Sequence, residues 1–130
     1  MNHVIYSNGD AQKITWVIQN EDSTFVENRE HVDMYKDKVT KLQSKYVALH
    51  VGLFWGIGTF AIKNDDSVII KLDEASMYDN LKLNKKSSDE FIEKRKMFIK
   101  QLILQRNLKI TYELIPIEEN PLREIIRKGA

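Results

Sequence analysis

The chain has 130 residues, with 42% hydrophobic and 30% charged residues, two prolines and five glycines. That balance describes one ordered domain with its own hydrophobic core and excludes a disordered or low-complexity chain. Twenty Lys and Arg against nineteen Asp and Glu leave a net charge of +1, so bulk charge points to no polyanionic partner. The absence of cysteine excludes disulfides, thiolate metal sites and a cysteine nucleophile. It also fits a cytoplasmic setting, and neither a secretion signal nor a membrane span is expected, since no apolar run approaches 20 residues.

In chain order, Val4 to Ser7 reads as a short strand meeting a turn at Asn8-Gly9-Asp10. Lys13 to Asn20 is dense in β-branched and aromatic residues, and Glu21-Asp22 turns it into a third strand from Ser23 to Glu27. From about Asp37 to Ile57 the spacing becomes helical, with Val39, Leu42, Tyr46, Leu49 and Leu53 on one stripe. Ser67 to Leu72 is a nearly continuous apolar run of the kind a central strand needs, and Asp73 stands at its end.

A short helix from about Glu74 to Leu81 follows, then a polar loop through Lys85 and Lys86. Ser88 is placed to cap a helix that starts at Asp89 and carries Phe91, Phe98 and Leu102 on one stripe. Leu108 to Ile115 predicts a fifth strand, stopped by Pro116, and Asn120-Pro121 places a cap and a first-turn proline before a terminal helix. The expectation is a single α/β domain over 1–130, with a five-stranded mixed sheet, its first three strands antiparallel, flanked by helices.

Three stretches carry a family resemblance. Tyr6-Ser7-Asn8-Gly9 resembles the opening Tyr-Thr-Asp-Gly of ribonuclease H type 1 proteins. Thr40-Lys41-Leu42-Gln43-Ser44-Lys45-Tyr46-Val47-Ala48-Leu49 is similar to that family's Thr-Asn-Asn-x-Ala-Glu-Tyr-x-Ala-Leu helix. Ile115-Pro116-Ile117-Glu118-Glu119-Asn120 resembles the Ile-Pro-Arg-Glu-Glu-Asn before the last helix of the short, bacterial and plant-like branch. The resemblance implies a ribonuclease H-like fold over nearly the whole chain.

The family holds two Mg²⁺ ions with four carboxylates, Asp, Glu, Asp and Asp, to cut RNA in RNA/DNA hybrids. The matching positions here are Asn8, Lys45, Asp73 and Glu124. Their formal charge is −1, against −4 in the family. An ammonium about 4 Å from a divalent ion is repelled by ~8 kcal/mol at an effective dielectric of about 20. The sequence therefore predicts no catalytic residues, no cofactor, and a salt bridge from Lys45 to Asp73, Glu124 or both. Were a metal held after all, Mg or Mn on Asp73, Glu124 and Asp10 would be the set.

Of the family's substrate contacts, Gly9 and Thr40 persist, with Lys41 beside them, while the stretch Gly9-Asp10-Ala11-Gln12 is too short for the family's glycine-rich loop and Ala75 replaces a polar residue. Weak binding of an RNA/DNA hybrid or another nucleic acid is expected, and no membrane partner. Two other readings stand beside this one: a weakened metal-dependent hybrid endonuclease, and a protein-interaction module with no nucleic-acid role, its partner unnamed. The basic run Lys82, Lys85, Lys86, Lys94, Arg95, Lys96 and Lys100 reads as a solvated face, Trp16, Trp55, Tyr46 and Phe98 as core, and His3, His31 and His50 as too scattered for zinc.

Overall fold

The computed structural model describes residues 1–123. Five strands, β1 (Asn2–Gly9), β2 (Lys13–Gln19), β3 (Thr24–Glu30), β4 (Ser67–Leu72) and β5 (Lys109–Leu114), form one sheet in the order β3-β2-β1-β4-β5. The first three pair antiparallel, and β4 runs parallel to both β1 and β5. The helices are α1 (Lys41–Gly58), α2 (Ala75–Leu81) and α3 (Glu90–Gln105), with a short 3₁₀ turn at Ile117–Glu119. This is the expected fold class. The expected terminal helix and Glu124 lie outside the described residues.

One face of the sheet carries the core, because alternate residues of each strand point the same way. Ile5 pairs across to Ile18 on one side and Ile70 on the other, and all three are fully buried. The helix α1 lies on that face and comes close because it presents glycines: a Cβ built on Gly52 would sit 2.9 Å from Trp16 Cγ. Trp16 and Tyr46 are buried as expected, while Trp55 and Phe98 pack at half-buried positions. Against α1 packs α3, where the His50 ring stacks on Phe98 with centroids 5.6 Å apart.

Several local expectations are corrected. The strand β1 runs through Asn8 and Gly9, which pair with Thr15 and Ile14, so the turn is Asp10 to Gln12. Gly9 serves close approach rather than turning, since an added Cβ would meet Ser44 Oγ at 2.2 Å. The third strand extends to Glu30 rather than ending at Glu27. The long helix begins at Lys41, not Asp37: Asp37 has φ 63, outside helical space, and its N–H is given to Ala11 O at 2.8 Å. Thr40 is the true cap, in a reciprocal box with Gln43.

The cap of α3 is Asp89, not Ser88, since its carboxylate accepts from Phe91 N and Ile92 N. The buried line of α3 is Ile92, Lys96 and Ile99. Phe91, Phe98 and Leu102 form its half-buried flank instead, because a lysine in the middle disguises the seam that packs deepest. Nor are the basic residues all solvated. Lys96 is 8% exposed, and the Arg95 guanidinium lies over Tyr35 and Phe91 while donating to His50 Nδ1 at 2.9 Å. Among the described residues no helix is long and apolar enough to cross a membrane.

Two measurements check this packing. Gly52→Ala should cost about 1–3 kcal/mol in urea denaturation, since the added methyl must displace the Trp16 ring. Burial, with Arg95 adding to it, pushes the His50 imidazole down to about 4 from its ordinary 6.5. The unfolded chain then takes up this proton first, so stability should fall as pH drops from about 6.5 to about 4. His50→Gln should flatten that part of the profile.

Candidate functional site

The C-terminal end of β4 positions the site. Asp73 follows the strand's last residue, with its side chain 5% exposed. From α1, Lys45 reaches it with a side chain only 4% exposed, and its ammonium donates to Asp73 Oδ1 at 2.9 Å and to Glu74 Oε1 at 3.1 Å. Glu74 is the cap residue of α2 but makes no side-chain capping bond there, which leaves its carboxylate for the lysine.

The second Asp73 oxygen is also taken. Asn120, fully buried, donates from Nδ2 to Asp73 Oδ2 at 3.0 Å and to Ser7 O at 3.1 Å. Its own Oδ1 accepts from Leu122 N at 3.0 Å. Asn120 thus joins the middle of the sheet, the strand-end carboxylate and the segment after β5. Asn8, next to Ser7 and 4% exposed, accepts the Gly9 N–H on its Oδ1 at 2.9 Å.

Sequence reasoning places Lys45 with Asp73, and the structure brings these two together. It misses Glu74 and Asn120. The signal for Glu74 was its adjacency to Asp73, and for Asn120 its presence in the third family-like stretch, where it reads only as a helix cap. Glu124 lies outside the described residues. Asp10 is engaged elsewhere: its Oδ1 accepts Gln12 N at 2.8 Å and Lys13 N at 2.9 Å, which closes the β1–β2 turn.

The remaining candidates lie around the start of α1. Thr40 and Lys41 are exposed, and the Thr40 hydroxyl already accepts Gln43 N at 3.1 Å. Gly9 packs on Ser44, whose hydroxyl meets His31 Nε2 at 2.7 Å. Burial holds the His31 imidazole below its ordinary range, although the Asp10 carbonyl and carboxylate pull the other way. Ser44 is fully buried, so this Ser–His contact braces the helix against the sheet and presents no nucleophile.

Removing the ammonium isolates a buried carboxylate. Lys45→Met should destabilise the protein by about 3–5 kcal/mol in urea denaturation. Adding Asp73→Asn to Lys45→Met should recover part of that loss. A Lys45→Met protein as stable as the parent would remove the ion pair from any structural role.

No family model matches the chain, and no curated protein matches it. Solved structures do. The ribonuclease H1 of the halophilic archaeon Halobacterium salinarum aligns over 100% of both chains with a TM-score of 0.70 and 14% identity. The N-terminal ribonuclease H domain of a Mycobacterium tuberculosis protein covers 97% of this chain and 95% of its own, with a TM-score of 0.74 and 15% identity. A ribonuclease H1 isolated from compost by a metagenomic approach, solved in complex with an RNA/DNA hybrid, covers 95% of this chain and 92% of its own with a TM-score of 0.70 at 17% identity. The chain has the ribonuclease H-like fold.

Proposed function

We propose that this ribonuclease H-like protein does not cut RNA by a two-metal route and serves as a binding module, taking RNA/DNA hybrid weakly. The observation that carries the reading is the Lys45 ammonium 2.9 Å from Asp73 Oδ1, at the helix position where the family it resembles has Glu. A cation of the chain's own neutralises the carboxylate that a divalent ion would use.

The donor set does not suit two Mg²⁺ ions. Over Asn8, Lys45, Asp73 and Glu74 the formal charge is −1, and each Asp73 oxygen already has a donor. Hard divalent ions want several unengaged oxygens around them. Among the described residues no three of His, Cys, Asp and Glu cluster as a metal would require.

Hybrid is favoured as the ligand by the bound hybrid of the compost ribonuclease H1. Thr40 and Lys41 at the start of α1 are exposed, and this reading assigns the phosphate contacts to them. Phosphate contacts position a nucleic acid without reading its sequence, and so few of them give weak binding. One or two released counterions correspond to a slope of about −1 to −2 in log affinity against log salt.

The protein incubated with labelled RNA/DNA hybrid in Mg²⁺ or Mn²⁺ should leave the RNA intact and shift the hybrid only at low salt. Cleavage that Asp73→Asn abolishes would overturn the reading in favour of a weakened endonuclease. No shift at any salt would leave a protein-interaction role. Conversely, Asn8→Asp with Lys45→Glu adds two carboxylates, so that with Asp73 and Glu124 all four family positions carry one. Mn²⁺ should raise the melting temperature of that double variant and leave the parent's unchanged.

A further inference from the structure

At the other end of β4, the loop from Thr59 to Asp66 enters the strand. Six residues at strand spacing put it about 20 Å from Asp73. A cleft of about 340 Å³ opens there, lined by Ile57, Phe60, Ile62, Lys63, Asn64 and Arg106. That volume lies within the range of binding pockets. Its lining is three apolar side chains, one amide and two cations, with no acid.

Phe60 marks the cleft in two ways. It is 76% exposed, and its φ is 64, the left-handed region that a bulky side chain enters only at a cost. Its neighbour Ile62 is 1% exposed and anchors the loop in the core. A glycine would adopt the same backbone freely, so the aromatic ring is held in the open at the expense of stability.

The walls are fixed in advance. Asp65 N donates to Arg106 O at 3.0 Å, Lys109 N to Asp66 O at 2.9 Å, and the Asn107 amide to Asp65 Oδ1 at 2.6 Å. These bonds tie the α1–β4 loop to the α3–β5 loop. They also engage Asp65 on its own side, while among the described residues neither Lys63 nor Arg106 has a side-chain acid partner.

We propose that this cleft docks an acidic peptide segment of a partner protein, which seats an apolar side chain against Ile57, Phe60 and Ile62 and its carboxylates on Lys63 and Arg106. Charge complementarity selects the partner. A preformed cleft also spares the loop-ordering cost that weakens flexible sites. A long polyanion fits worse, because Asp22 and Asp66 line the adjoining cleft that Phe60 and Lys63 also wall. The site is remote from Asp73, so it neither uses nor blocks the nucleic-acid face.

The probe is fluorescein-Gly-Glu-Asp-Glu-Leu-Phe-Asp-Glu-amide, titrated by anisotropy at low salt. Saturable binding is expected, weakened by about tenfold or more in Lys63→Glu and in Arg106→Glu, and unchanged in Asp73→Asn. Phe60→Gly should lose the peptide by a similar factor while raising the melting temperature, which separates lost contact from lost folding. A parent that shows no saturable binding overturns the proposal, as does peptide binding that survives all three cleft variants. Displacement of the peptide by an equimolar RNA/DNA hybrid would give the cleft to nucleic acid and overturn it equally.

Discussion

A lysine ammonium with almost no access to water must be paired, and the pairing of Lys45 sets how α1 meets the end of β4. The desolvation of such an ion costs several kcal/mol, which only close, well-aligned carboxylates offset. Asp73 and Glu74 supply them from consecutive positions. Lys45 can reach both because Gly9, Gly52 and Gly56 let the helix lie directly on the strands. The apolar packing of α1 and the polar chemistry at its first turns are therefore one arrangement.

Much of this was legible in the residues. The strand-rich opening, the apolar run before Asp73 and the helix with Tyr46, Leu49 and Leu53 on one face each obey a simple period, and the sheet follows from them. The Lys45–Asp73 pair was legible too, since a lysine inside a family-like helix stretch had to be matched by an acid. Where reading failed, a tertiary partner had replaced the local rule. Asn8-Gly9 looks like a turn but pairs as strand, and its glycine is there to leave room for Ser44 rather than to turn the chain. Lys96 looks solvated but is buried in the line that faces the core. Asn120 looks like a helix cap, and its Oδ1 does accept Leu122 N, yet its amide also spans two other parts of the molecule.

Under the proposed function, fold and chemistry part ways. The strand order and helix placement are shared with ribonuclease H structures at only 14–17% identity. Such divergence is tolerable because the sheet needs apolar residues of roughly the right size at alternating positions, a demand many sequences meet. A metal site is more demanding, since it needs particular atoms at particular distances. The two ends of β4 carry opposite problems: one neutralises a buried charge internally, the other leaves two cations and a strained aromatic facing outward.

The Asn120 amide grips the Ser7 carbonyl across 113 positions of sequence. Closing so long a loop costs chain entropy that grows only slowly with its length, and the contacts inside the loop offset it. Four strands, β2 to β5, and three helices lie wholly within that span. One amide thus ties the Ser7 carbonyl near the start of the described chain and the Asp73 carboxylate in its middle to the segment after β5.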